Sequence, residues 1–335
     1  MLFSITIGVD SASEKFDWHA LDSQEVELGY AETKNTSTAI QAQFTTLCID
    51  HKVRPENVLV CIENTGLYSL RLAYELHLEK FSVWMVDAFH LNHSIGRVKG
   101  KTDKLDAYRI AKYAVRNTKD FSAFTPNSKA LAKIKTLMVQ RKRMVKAKNL
   151  LMVPINEERK HSPYDLSDCY EETDSVVALA KSMIKAQDAR IDKALKTSPE
   201  YSQTYATLQS APGIGPITAR LVIAKTNNFA NGFDGRKLCS LAGVAPFPKE
   251  SGKCLKKRPG NGSGSDRELK SCLYLGMLRQ IKMDNKMGRY YAKKIAEGKH
   301  HNSIINAMAN KILHTVVACL RKGVMYDENY THKLA

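Results

Sequence analysis

Four carboxylates, Asp10, Glu63, Asp103 and Asp106, have the type and setting for metal-assisted chemistry on phosphodiesters. Asp10 ends the alternating run Ser4-Ile5-Thr6-Ile7-Gly8-Val9, and Glu63 ends the apolar run Asn57-Val58-Leu59-Val60-Cys61-Ile62. Asp103 and Asp106 stand three apart at the start of a helical pattern, on one face of its first turn. Two strand ends and one helix face can converge on a point. A like-charge pair at ~4 Å costs roughly 4 kcal/mol at an effective dielectric of ~20, so four such groups make sense around divalent cations. Mg²⁺ keeps waters and prefers carboxylate oxygens, and two ions ~3.5–4 Å apart can serve the attacking and leaving oxygens of a phosphate; Mn²⁺ can substitute. Taken singly, each acid has a plainer reading. Asp103 and Asp106 suit a helix N-terminus, Asp10 a turn and Glu63 a loop. Together, in a basic chain, they favour function.

The elements that must position these acids are legible from periodicity. Residues 3–10, 15–21 and 26–32 read as three short strands joined by tight turns. Helix 38–50, strand 57–63, helix 67–79, strand 81–86 and a helix over 103–116 follow. That order is mixed α/β, with an antiparallel start and parallel crossovers. This unit closes at Phe124-Thr125-Pro126, giving a first domain of residues 1–126.

Residues 127–200 read as an antiparallel helical hairpin, or coiled coil. Leu131, Ile134, Leu137, Met138, Met144, Val145, Leu151, Met152 and Ile155 follow helical spacing, and a second stripe runs from Val176 to Leu195. Pro154 and Pro163 are expected to frame a break between the two helices. Residues 201–335 read as a mostly helical third domain, with further helices at 266–283 and 301–322.

Lys plus Arg is 51 and Asp plus Glu is 34, so the net charge is +17. Such a balance points to nucleic acid, with an anionic membrane surface as the alternative. No unbroken run of ~18 apolar residues is present, which argues against a membrane span. The N-terminus lacks a basic leader and runs straight into the Asp10 strand. Seven cysteines without a CxxC pair read as reduced thiols, and His90 and His93 have no cysteine near them for a zinc site.

Two further motifs lie in the last third. Ala211-Pro212-Gly213-Ile214-Gly215-Pro216 reads as the turn of a helix-hairpin-helix, where Gly213 and Gly215 would let backbone N–H groups meet a phosphate. A plain helix–helix turn is the other reading. Ser251 is expected in a flexible Gly-rich basic loop with Lys249, Lys253, Lys256, Lys257 and Arg258. Composition alone leaves it an ordinary serine, but such cations would stabilise charge on an attacked phosphate.

The strand order and acid placement resemble the RNase H-like fold of the RuvC type. More narrowly, Gly8-Val9-Asp10-Ser11-Ala12, Cys61-Ile62-Glu63-Asn64-Thr65-Gly66 and Lys101-Thr102-Asp103-Lys104-Leu105-Asp106-Ala107 resemble the DEDD motifs of Piv/MooV-type insertion-sequence transposases. The Pro-Gly-Ile-Gly turn, the Ala242-Gly243-Val244-Ala245-Pro246 turn, Glu250-Ser251-Gly252 and Gly264 to Leu273-Tyr274 resemble the second domain of the same family. Ser271-Cys272 departs from the family's frequent Arg-Ala, and the loop after Ser251 is poorer in arginine.

The resemblance implies a DNA recombinase of a mobile element in which Ser251 forms a phosphoserine link, assisted by Mg²⁺ on Asp10, Glu63, Asp103 and Asp106. It also implies donor and target DNA, a non-coding bridge (guide) RNA, a homodimer or homotetramer, no membrane, and a cytoplasmic, nucleoid-associated setting of bacterial or archaeal type. Some relatives act as invertases. A RuvC-like junction nuclease using water, or a non-catalytic nucleic-acid-binding protein, would account for the acids without Ser251.

Overall fold

In the computed structural model, residues 3–95, 100, 102–230, 232–251, 255–260 and 264–330 are described. The chain divides into two compact units, residues 1–126 and 127–335.

The first unit is built on a five-stranded sheet ordered β3-β2-β1-β4-β5. Its strands are β1 (Ile5–Ser11), β2 (Lys15–Asp22), β3 (Glu27–Lys34), β4 (Val58–Asn64) and β5 (Ser82–Asp87). β1, β2 and β3 form an antiparallel meander, whereas β4 runs parallel to β1 and β5 parallel to β4. β4 is apolar at every position from Val58 to Ile62 because both its faces are covered. One face packs Ile5, Ile7, Val9, Phe16 and Trp18 against α1 (Ser37–Asp50) and α2 (Leu67–Leu78). The other packs Leu59, Cys61, Trp84 and Val86 against α3 (Ala88–Ile95) and α4 (Asp103–Arg116). α3, which the periodicity did not suggest, follows β5 directly.

The second unit is helical apart from one strand pair. α5 (Lys129–His161) and α6 (Glu171–Thr197) run antiparallel, as the pairs Arg141–Asp188 and Arg159–Asp174 show. Pro154 does not break α5, which continues to His161. Past the proline, Arg159 and the Tyr170–Glu158 hydrogen bond hold its last turns to the returning chain. Leu131, Ile134 and Leu137 of α5 and Ile191 and Leu195 of α6 enter the core, but Leu150, Val153, Val176 and Leu179 are exposed.

α7 (Ser202–Ser210), α8 (Pro216–Thr226), α9 (Gly235–Leu241), α10 (Arg267–Gln280), α11 (Lys286–Ala296) and α12 (His301–Lys322) complete the unit. α12 is long and apolar enough to span a membrane by composition, which a search for unbroken apolar runs misses. Its Ile304, Ile305, Met308, Ile312, Leu313, Val316 and Val317 lie in the helical core, which accounts for that hydropathy. β6 (Phe247–Ser251) and β7 (Leu255–Gly260) pair antiparallel.

Candidate active site

Register fixes the placement of the two strand acids. The parallel β1–β4 ladder pairs Gly8 with Cys61 and Val9 with Ile62, so Asp10 and Glu63 occupy the next step. Successive strand residues alternate faces. Ile7 and Val9 face α1 and α2, and Cys61 faces α3 and α4. Asp10 and Glu63 therefore share the α4 face. Both are partly buried. Just beyond them, Ser11 Oγ and Thr65 Oγ1 lie 3.1 Å apart and tie the two strand ends together.

α4 brings the second pair of acids. Thr102 caps it, with Oγ1 accepting from the Leu105 N–H at 3.3 Å, and Asp103 and Asp106 occupy the first turn. The helix backbone lies directly on Gly8. A Cβ there would fall 2.7 Å from Ala111 Cα and would overlap Ala107 O and Ala111 N. The helix is thus seated two residues before Asp10, with Asp106 adjacent in sequence to the contact.

The structure adds acids that motif spacing did not single out. Asp17 stands directly opposite Asp10 on β2, and Glu32 stands opposite Asp17 on β3. Four neighbouring strands thus present the row Glu32, Asp17, Asp10, Glu63 toward α4. The three residues between β1 and β2 fix this register, so the hairpin length was a usable signal. Asp17 is 3% exposed and accepts from Tyr30 Oη at 2.6 Å. That bond pushes the Tyr30 phenol up to about 12.

Cations are built into the same face. Lys15 Nζ lies 2.6 Å from Glu32 Oε2, 3.4 Å from Asp103 Oδ2 and 3.7 Å from Asp17 Oδ2. The hydrogen bond to Glu32 is the main reason its ammonium is held above the ordinary lysine range. Arg109 donates to Asp106 Oδ1 at 2.8 Å and to Gly100 O at 3.0 Å. His19, two positions beyond Asp17, is buried with its ring 4.9 Å from that of Tyr108. Burial lowers its affinity for a proton, partly offset by Glu27 with an oxygen 3.2 Å away.

The donors suit a hard divalent cation in kind, being carboxylates gathered on one face. Among the described residues, however, no three His, Cys, Asp or Glu groups stand close enough to hold a metal ion. Asp103 and Asp106 are instead paired with Lys15 and Arg109.

The second group of expected residues lies in the other unit. Ser251 ends β6 and pairs with Leu255, so it stands on a strand and not in a flexible loop. Lys249 is also on β6, and Lys256, Lys257 and Arg258 are on β7. Lys249 pairs with Lys257. Lys253 lies outside the described residues. A run holding Pro248 and several like charges reads as loop, because local propensity cannot register the pairing of two short strands.

Gly213 and Gly215 lie in the turn between α7 and α8. Gly213 has φ +80°, and a Cβ on Gly276 of α10 would fall 3.0 Å from the Gly213 carbonyl carbon and overlap its oxygen. Gly215 is the N-cap of α8, with no side-chain cap and no acid in the first turn.

Residues 7–152 match a DEDD-type IS110 transposase family model, and residues 205–292 match a second model, Transposase IS116/IS110/IS902 family. The chain belongs to this transposase family. The four acids fall within the first matched span and Ser251 within the second. The pilin gene-inverting protein of Moraxella bovis is 25% identical over 339 residues, which cover 96% of this transposase-family chain and 97% of that protein. The Moraxella lacunata protein of the same name matches with the same identity and coverage. The uncharacterized 42 kDa protein of insertion element IS900 from Mycobacterium paratuberculosis is 34% identical over 120 residues, 35% of this chain and 29% of that protein.

Proposed function

We propose that this transposase-family chain is a DNA recombinase that cuts and rejoins strands through a phosphoserine intermediate. The observation that carries the reading is the placement of Asp10 and Glu63 side by side on one face, with the Asp103–Asp106 turn seated beside them at Gly8. The sheet order, an antiparallel meander continued by two parallel strands, supports an RNase H-like fold of the RuvC type. Asp10, Glu63, Asp103 and Asp106 would hold Mg²⁺, which when bound supplies charge stabilisation at a phosphoryl oxygen.

In the covalent step, Ser251 Oγ forms a bond to phosphorus and the bond from phosphorus to the leaving deoxyribose oxygen breaks. The serine proton is lost and the leaving oxygen takes one up. Attack by a second deoxyribose hydroxyl reverses the exchange and frees the serine. Lys249, Lys253, Lys256, Lys257 and Arg258 would stabilise the phosphate charge, and the Gly213–Gly215 turn would meet the DNA backbone. The exposed apolar positions of α5 and α6 suit assembly of a homodimer or homotetramer. A bridge RNA that pairs with donor and target DNA belongs to the same reading.

The test uses a supercoiled donor and target with a nicked suicide substrate. Wild type should give recombinants and a protease-sensitive protein–DNA adduct, and Ser251→Ala should give neither. Cleavage without an adduct would point to a nuclease that uses water. The end-to-end match to the two pilin gene-inverting proteins favours a second reading, in which the same chemistry inverts a segment. A substrate with inverted sites separates inversion from insertion by its products.

A further inference from the structure

Six carboxylates share the α4 side of the first unit: Glu32, Asp17, Asp10 and Glu63 across the sheet, and Asp103 and Asp106 on the helix. Lys15 bridges sheet and helix here, at 2.6–3.7 Å from Glu32, Asp103 and Asp17. Its three partners differ in how firmly they are held. The Asp17 side chain is 4% exposed and fixed by Tyr30; those of Glu32 and Asp103 are 56% and 59% exposed, but Lys15 reaches Glu32 at 2.6 Å and Asp103 only at 3.4 Å. Of these two solvent-open pairs, the longer one, to Asp103, is the weaker and exchanges the more readily. The α4 backbone itself is seated on Gly8 through Ala107 and Ala111.

We propose that Lys15 is a positioning residue, an internal counter-ion that draws Asp103 toward the outer strands and yields it when a divalent cation enters the acidic face. The inference rests on the metal-site reading above. Lys15 stays tethered to Glu32 and Asp17, so its charge limits repulsion across the row while the metal is away. Its release of Asp103 then sets how tightly the face takes metal. Lys34 provides an internal comparison. It is the cross-strand partner of Lys15 and carries the same charge, yet it makes no ion pair within 4 Å among the described residues.

The test is Mn²⁺ binding to the full chain, followed by electron paramagnetic resonance of the free ion at fixed ionic strength. Lys15→Met should bind Mn²⁺ about tenfold more tightly than wild type, because Asp103 no longer has to leave a partner. Lys15→Arg and Lys34→Met should stay within about twofold of wild type. Unchanged or weaker binding in Lys15→Met overturns the proposal, and so does an equal gain in Lys34→Met, which would show general electrostatics. The metal-site reading has its own control: wild type should bind Mn²⁺ in a way that Asp10→Asn abolishes. If it does not, both fail; if it does and Lys15→Met is unchanged, only the counter-ion role fails.

Discussion

Between the α-carbon of Gly8 and the carbonyl oxygen of Ala107 there is no room for a methyl group. The contact sits two residues before Asp10 and one after Asp106, so it sets the spacing between a strand acid and a helix acid. Gly8→Ala must push α4 off the sheet or strain both. Overpacking of this kind costs about 1–3 kcal/mol. Urea unfolding should show that loss, and recombination should fall further than stability accounts for, because the acids move apart. Gly29 on β3 is the control, since a Cβ there meets only Trp18 ring atoms at 3.8 Å or beyond. Gly29→Ala should leave recombination unchanged.

The six acids are not equivalent. Asp17 is buried, accepts from Tyr30 and faces Lys15, so its oxygens are already committed. Asp17→Asn keeps an acceptor for Tyr30 and should lower recombination less than about tenfold. Asp10→Asn should lower it more than ~100-fold, or ~2.7 kcal/mol in barrier. Equal losses in the two variants would give Asp17 the same part in the reaction as Asp10.

How much of this was legible beforehand depends on the range of the interaction. The alternation in β1, the apolar run of β4 and the Thr102 start of α4 are local, and the sequence located Asp10, Glu63, Asp103 and Asp106 on the elements that carry them. Lys15 and Glu32 escaped because they matter only through cross-strand register. Pro154 misled because its helical cost is local, ~3 kcal/mol, while the packing of α5 along α6 spans the whole hairpin. The Ser251 strand was missed for the converse reason: its sequence is turn-like, and only pairing with β7 makes it a strand.

In the helical unit, Arg220 of α8 is 4% exposed and pairs with Asp188 and Asp192 of α6, and Arg141 of α5 joins Asp188. Burial alone would raise the Asp188 carboxyl, but Arg141 and Arg220 outweigh it and hold it below the usual range. A depressed folded value means stability that is present above the unfolded pKa, near 4, and is lost as pH falls through the folded one. Asp188→Asn should therefore be less stable than wild type at pH 7 and should lose less stability between pH 5 and pH 2. Arg220→Met removes the buried partner of two part-exposed acids, of which Asp188 keeps Arg141, and should cost about 1–3 kcal/mol. Urea midpoints across that pH range test both.

The α7–α8 turn separates a packing glycine from an open one. Gly276→Ala would overlap the Gly213 carbonyl oxygen and should destabilise the helical unit by about 1–3 kcal/mol. At Gly215 an added Cβ meets nothing within 4 Å, and its φ of −82° suits any residue. Gly215→Val replaces a favoured glycine N-cap by a poor one and should cost about 1 kcal/mol, with no side-chain cap bond lost. The open space lies at the start of α8, where the N–H groups of the first turn have no side-chain cap and no acid competes for them. If a DNA phosphate docks there, the valine methyls occupy its place. Affinity for duplex DNA at fixed salt should then fall about tenfold in Gly215→Val, under conditions where the urea midpoint shows both proteins fully folded. Unchanged affinity would reduce the turn to a plain connection between two helices.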